Sequence, residues 1–361
     1  MINQEQLLDT FLELVRIDSP SLHEQAIGDE LAARLAGWGL AVERDASGNV
    51  FGWLDGSPTG GDSLLLNAHM DTVGEDRGIR PVIRDGVVTS DGSTILGGDD
   101  KSGIAIILQV LQVLKEQGLP HRPLEVLFTV EEELNLGRAG RIDVGRLRSR
   151  QGLVLDSGGP IGSYVTAAPS QDKIEVTVLG KAAHAGSEPE LGINAIRVAA
   201  EAIAAMPLGR IDEETTANIG VIKGGTVTNI VPDNVFVNGM ARSRNQAKLE
   251  RQVAAMVRAL EEAAARHGAR LDLKVEHAYR LYEVPEDSAM RQAFEAAARR
   301  VGLVPLPHPS GGGSDANILN HAGIQALPIS TGMTAVHTHD ESIAIADMAQ
   351  CAELVLEMVR S

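Results

Sequence analysis

The chain is poor in cysteine and in positive charge. Cys351 is its one cysteine, and 32 Lys and Arg stand against 49 Asp and Glu in 361 residues. A lone cysteine excludes a disulfide framework, and its place in the helical pattern MAQCAELVLEMV predicts a buried thiol. The net charge of −17 argues against nucleic acid and against anionic membrane surfaces as partners, because both select basic patches. No apolar run approaches the ~18 residues that span a bilayer. The opening MINQEQLLDT has no apolar secretion core. Together these absences predict a soluble, cytoplasmic protein. With 43% apolar and 22% charged residues the composition is that of an ordinary globular chain, and its length favours two domains.

What is present is a series of metal-ligand-type residues in a fixed order. His69 and Asp71 stand in LLLNAHMDTV, and Asp99 and Asp100 in GGDDKSG. Glu131, Glu132 and Glu133 follow in LFTVEEELNLG, Asp156 in GLVLDSGG and His337 in TAVHTHDES. Two histidines and several carboxylates suit a pair of divalent cations such as zinc. A paired site needs one bridging ligand and one spare carboxylate as a base, and this set supplies both.

Helical spacing is expected over residues 4–17 and 24–37, with short strands at Ala41–Arg44, Val50–Leu54 and Leu64–Ala68. Asp85–Gly86 reads as a hairpin turn between Pro81–Arg84 and Val87–Ser90. Helix at 102–116 and strands at 124–130 and 152–155 complete an alternating pattern, which argues for a three-layer α/β catalytic domain with a mixed sheet. Each candidate ligand up to Asp156 falls at or just past a strand end, where open α/β sheets place their sites. Beyond Pro169 the order becomes strand, helix, strand, strand, helix, strand. That order is expected of a ferredoxin-like α+β insert over 170–283, leaving 1–169 and 284–361 as the discontinuous catalytic domain.

Taken singly, each residue has a plain alternative. His69 could be a satisfied core histidine, but Asp71 two residues on faces the same way in an extended chain and can orient the imidazole. Asp99 and Asp100 precede a helix and equally suit N-terminal capping. The Glu131–Glu133 run could be a solvated loop, although three adjacent carboxylates repel one another unless cations compensate. Asp156 closes the apolar strand LVLD, where a charge is costly without a partner. Lys101 is expected to be solvated or salt-bridged, with no catalytic role.

The motif series HMDTV, GGDDKSG, TVEEE, LDSGG, AAHAG, GGGSDAN and HTHDE resembles the cocatalytic-zinc exopeptidases related to carboxypeptidase G and succinyl-diaminopimelate desuccinylase. Within that family it is most similar to the tripeptidase (peptidase T) branch. The resemblance implies two divalent ions per chain, zinc or alternatively cobalt or manganese. His69 and Asp156 would bind one, Glu133 and His337 the other, and Asp99 would bridge them. Asp71 would orient His69, and Glu132 would be the general base. His337 is preferred to His339 because the family's ligand lies four residues before a glutamate, here Glu341. Asn135 stands where the family has glycine, and asparagine is the next best residue at a positive φ.

The resemblance also implies a homodimer formed through the insert, a lid and dimerisation domain. His184 would reach the second subunit's site and stabilise the oxyanion. Asn229 and Arg242 would bind substrate carboxylate or carbonyl groups, the arginine through its two-pronged fork. The amides of the Gly311–Gly313 loop would line the substrate site. The implied activity is removal of the N-terminal residue from short peptides. A carboxypeptidase or N-acyl-amino-acid amidohydrolase on the same scaffold is the alternative. A metal-binding protein without turnover is the remote one, since it would have no need of Glu132.

Overall fold

The computed structural model describes residues 1–57, 61–134, 136 and 142–361. Asn135 lies outside them. The chain opens with helices α1 (Gln4–Val15) and α2 (Gln25–Gly37). In α1 the Asn3 side chain caps the amides of Glu5 and Gln6, and the buried stripe is Leu7, Phe11, Leu14 and Val15. Strands β1 (Ala41–Arg44), β2 (Val50–Leu54), β3 (Leu64–His69), β4 (Pro81–Arg84) and β5 (Val87–Ser90) follow. The turn between β4 and β5 has φ of 51° at Asp85 and 79° at Gly86, the two left-handed positions that an Asp-Gly hairpin supplies. Helix α3 (Gly98–Gln117) then leads to β6 (Leu124–Thr129), β7 (Gln151–Gly158) and β8 (Ser163–Ala168).

Next come β9 (Ser170–Leu179), α4 (Ala195–Ala205), β10 (Gly209–Arg210), β11 (Thr215–Gly224), β12 (Asn234–Ser243), α5 (Gln246–His267) and β13 (Arg270–Tyr279). The remainder is β14 (Tyr282–Glu283), α6 (Ala289–Arg300), β15 (Leu306–Pro309), α7 (Asp315–His321), β16 (Gln325–Met333), β17 (Ser342–Ala344) and α8 (Ile345–Arg360). Sequence reading found the long elements and missed β8, β10, β14, β15, β17 and α7, most of them too short to show a period.

Contacts divide the chain into two compact units. One comprises Met1–Ala167, Glu283–Ser310 and Ser314–Ser361, the other Ala168–Tyr282 with Gly311–Gly313. The first is built on a nine-stranded mixed sheet ordered β1-β2-β6-β3-β7-β16-β8-β14, with β15 also pairing with β8. Its centre (β6, β3, β7, β16) is parallel and its β1–β2 edge antiparallel. Every residue of β3 and β6 is buried, as a parallel centre covered by helices requires. Parallel pairing aligns the carboxyl ends of β3, β6, β7 and β16, so the segments that follow them emerge together.

The second unit is a five-stranded antiparallel sheet ordered β10-β11-β12-β9-β13. Setting aside the two-residue β10, β12 lies between β9 and β11, and β13 flanks β9. This is the split βαβ arrangement expected of a ferredoxin-like unit. Alternate residues Ile174, Val176 and Val178 of β9 face Val198, Ala199 and Ala202 of α4 and Leu249, Met256 and Leu260 of α5 in one apolar core.

Candidate metal centre

Four segments at or near strand ends of the first unit converge on one carboxylate, that of Asp99. His69 is the last residue of β3, Asp156 lies in β7, and Glu132 and Glu133 follow β6. His337 follows β16, with φ of 64°. Asp99 enters from the start of α3, where Asp99 and Asp100 leave helical φ/ψ. Their peptide bond is cis. Gly103 lets this first turn lie against β7, since a Cβ there would stand 2.5 Å from both Asp100 Oδ1 and the Leu155 carbonyl oxygen.

Asp99 turns one oxygen to each histidine. Its Oδ1 lies 3.0 Å from His69 Nε2 and its Oδ2 3.2 Å from His337 Nε2. Asp156 Oδ1 stands 4.0 Å from His69 Nε2, and Glu133 Oε1 stands 3.0 Å from His337 Nε2. Two His-plus-carboxylate groups therefore share Asp99 between them. The capping alternative holds for its neighbour only: Asp100 Oδ1 accepts the Gly103 amide (3.3 Å) and Oδ2 the His69 amide (3.1 Å).

His69 is oriented by Asp71 twice over. Its Nδ1 lies 2.9 Å from the Asp71 carbonyl oxygen and 3.3 Å from the carboxylate. The carbonyl accepts only, so Nδ1 carries a proton and Nε2 is the nitrogen presented to Asp99 and Asp156. The Asp71 carboxylate has a further task, accepting the amides of Glu132 (3.0 Å) and Glu133 (3.1 Å). Sequence reasoning anticipated the first contact and missed the second.

Glu341 was noticed only as a spacing mark, yet it holds the Asp99 loop. Its buried carboxylate accepts the amides of Leu96 (2.9 Å), Gly97 (2.8 Å) and Asp99 (2.9 Å). Asp315, in the GGGSDAN motif, follows a helix cap. Ser314 does form a capping box with Asn317, but the Asp315 side chain turns inward to Thr129 Oγ1 (2.5 Å) and Asn67 Nδ2 (3.1 Å). Lys101 requires correction. It is neither solvated nor ion-paired but fully buried, its Nζ donating to the Ile17 carbonyl at 2.7 Å, and burial pulls its pKa down to about 8.

The electrostatics call for cations. Burial lifts the carboxyls of Asp100, Glu132 and Asp156 well above the usual range, and neighbouring carboxylates lift them further. Contacts with Asp99 and Glu133 push His337 up to about 10. For His69 burial opposes the charge, yet Asp71 and Asp99 raise it well above the ordinary value. Ligand bonds of about 2.0–2.1 Å at a tetrahedral zinc put donor atoms about 3.3 Å apart. The 3.0–3.2 Å separations among Asp99, Glu133 and the two histidines are close to that spacing, while Asp156 stands wider, 4.0 Å from His69. Glu133 Oε1 supports the same reading: it is buried without a properly directed hydrogen bond. The donor set fits divalent metal on each side of Asp99.

The profile of Peptidase family M20/M25/M40 matches residues 65–361. The chain belongs to this family. It is 41% identical to the aminopeptidase PepT of Bacillus cereus, whose crystal structure superposes with a TM-score of 0.86 over 99% of this chain and 98% of that one. A tripeptidase from Staphylococcus aureus is 38% identical, with a TM-score of 0.92 over 100% and 98% of the two chains. The uncharacterised protein YqjE of Bacillus subtilis is 40% identical over 99% of both chains. Peptidase T of Brevibacillus brevis is 26% identical over 76% of this chain and 67% of its own. The fold is thus the M20 peptidase fold, and the chain is a hydrolase with metal-capable His, Asp and Glu groups, as the motif series led one to expect. No helix among the described residues is long and apolar enough to cross a membrane.

The other three expected site residues lie in the second unit. The Ala185 amide donates to the Asn229 carbonyl (3.0 Å), which brings His184 and Asn229 side by side. His184 Nδ1 accepts the amides of Gly186 and Ser187, both at 3.1 Å, so its proton sits on Nε2 as an exposed donor. Arg242, on β12, is separate from that pair and donates from Nε to Gln171 Oε1 at 2.6 Å.

Proposed function

We propose that this M20 peptidase is a dinuclear metal-dependent aminopeptidase that removes the N-terminal residue of tripeptides. The observation that carries it is Asp99, shared between His69 on one side and His337 on the other. His69 and Asp156 would hold one ion, and Glu133 and His337 the other, with zinc preferred over cobalt or manganese for nitrogen and oxygen ligands. The bound pair would polarise the scissile carbonyl and activate a water. Glu132 moves the proton. Beside a ligand without being one, its carboxylate takes the proton of the attacking water and returns it to the leaving amine.

The aminopeptidase reading is supported by the B. cereus enzyme and the tripeptide preference by the S. aureus tripeptidase, each similar along almost the whole chain. Arg242 would receive the peptide's carboxylate, Asn229, beside His184, a substrate carbonyl, and acidic groups beside the metals the ammonium. His184, with Nε2–H free to donate, suits an oxyanion partner, supplied across a homodimer built through residues 170–283. A cytoplasmic setting fits the free, buried Cys351.

The test is a comparison of termini. Losing a buried charged hydrogen bond costs roughly 2–5 kcal/mol, so amidating a tripeptide's C-terminus should lower kcat/KM by at least about tenfold, and N-acetylation comparably. Dipeptides should be poorer substrates, because they cannot reach both ends of the site. Equal turnover of N-acetylated and free peptides would favour the carboxypeptidase or amidohydrolase alternative.

A further inference from the structure

The turn that carries Glu132 is gripped from its far side by a segment that precedes the family match. Residues 19–24, SPSLHE, lie outside the matched 65–361. Three of them run beside the chain leaving β3. Ser19 Oγ donates to the Met70 carbonyl (2.8 Å), the Thr72 amide to the Ser19 carbonyl (2.9 Å), and the Ser21 amide to the Thr72 carbonyl (3.4 Å). Beyond them Glu24 is buried, and its Oε1 accepts two amides: that of Leu22 at 3.1 Å and that of Glu131 at 3.0 Å.

Three consecutive amides of the Glu131–Glu133 turn thus each meet a carboxylate oxygen. Glu131 donates to Glu24 Oε1 (3.0 Å), Glu132 to Asp71 Oδ1 (3.0 Å) and Glu133 to Asp71 Oδ2 (3.1 Å). Ser21 Oγ donates to the same Asp71 Oδ2 at 2.7 Å, fixing that carboxylate from behind. The two residues that give Glu24 their amides are both non-glycine residues in the left-handed region, Leu22 at φ 74° and Glu131 at φ 59°. Such conformations persist where surrounding interactions over-determine them, and they gather at functional sites. A turn of three adjacent acids would relax apart if its backbone were free, so fixing its amides fixes where the Glu132 side chain starts.

We propose that Glu24, seconded by Ser21, is a positioning residue that sets the Glu132 carboxylate for proton transfer by clamping the backbone of its turn. This rests on the reading of Glu132 as the proton carrier. A misplacement of about 1 Å costs on the order of 100-fold in rate, so partial relaxation is readable. Glu24→Ala removes the acceptor and should lower kcat at least about tenfold, leaving KM and metal content unchanged. Glu24→Gln keeps an oxygen acceptor for both amides and should restore kcat to within about threefold.

The deciding arm is the double substitution. In a Glu132→Gln background Glu24→Ala should cost nothing further in kcat, because the group it positions is already gone. A merely structural role would add its loss in both backgrounds and would overturn the proposal, as would an unchanged kcat in Glu24→Ala or a loss traced to missing metal. If Glu24→Ala does not fold, Ser21→Ala carries the same test, with a smaller loss that likewise vanishes beside Glu132→Gln. If Glu132→Gln keeps full activity, the base assignment fails by itself. Amide exchange then decides the clamp: exchange at Glu131–Glu133 should quicken at least about tenfold in Glu24→Ala, and unchanged exchange overturns it.

Discussion

The two units treat charge in opposite ways. In the first, Glu24, His69, Asp71, Asp99, Asp100, Lys101, Glu125, Glu131, Asp315 and Glu341 are all buried. In the second, the buried polar residues among those described are neutral: Ser170, Gln171, Thr215, Ser243 and Gln252. The second unit keeps the ordinary rule, an apolar core between sheet and helices with its charges in water. The first breaks that rule mainly around one point, with Glu125 apart at the amino end of β6 and held by the Arg148 and Ser149 amides. Burying an ionised carboxylate costs several kcal/mol unless something compensates, and buried amides and two histidines compensate only in part. The difference marks where function was selected over stability.

Removing metal should break this comparison most severely. Chelation should abolish activity and leave the first unit with its carboxylate repulsion uncompensated. The pH dependence of the metal-free protein follows from the direction of each shift. His69 and His337 have folded pKa values above the unfolded one. Their stabilisation is full below about 6.5 and is lost as pH rises through the folded values, about 10 for His337. Asp100, Glu132 and Asp156 are also raised, so the folded state holds extra protons and loses stability as pH rises from about 4. Asp99 runs the other way, but its contribution is lost only as pH falls below about 4. The metal-free Tm should therefore fall between about pH 5 and 9, while the Tm gained on adding zinc grows. A metal-free Tm that is flat or rises over that range would sink this account.

Next in size is the split between Glu132 and Glu133. Glu132→Gln should retain metal and fold and lose about 100- to 10,000-fold in kcat, since only the proton path is removed. Glu133→Gln should instead weaken metal binding, because its oxygen faces His337 at 3.0 Å. Metal titration and turnover on the same samples separate the two. Exchanged phenotypes would reverse the roles.

Much of this site was legible because most of its candidate residues stand in short motifs at or near a strand end. The apolar strand LLLNA ends on His69, and LVLD ends on Asp156. The supports were not legible. Glu24 meets Glu131 across 107 residues, Glu341 meets Asp99 across 242, and Lys101 meets Ile17 across 84. No periodicity encodes such contacts, and an acid or lysine whose partners are backbone amides and carbonyls leaves no complementary residue type to look for. The same reason explains the error at Lys101. Lysines are rarely buried unpaired, and one carbonyl acceptor 84 positions away is invisible in the chain. The insert was easier, because its order follows from alternation and helical spacing alone.

The smallest effect on chemistry should come from the second unit's core. Leu249, in α5, is fully buried against the apolar sheet face with no polar partner to lose. Leu249→Ala removes three carbons and leaves a cavity, which costs about 2–5 kcal/mol depending on how far the neighbours collapse. The proposed metal ligands all belong to the first unit, so metal stoichiometry and affinity should stay unchanged while the melting transition moves down. Calorimetry with and without zinc reads both quantities at once. If the two units melt separately, only the transition that zinc does not shift should move in the variant. If Leu249→Ala instead lowers zinc affinity by tenfold or more, the contrast between a charged functional unit and an inert apolar one is wrong. The insert's packing would then be setting the geometry around Asp99.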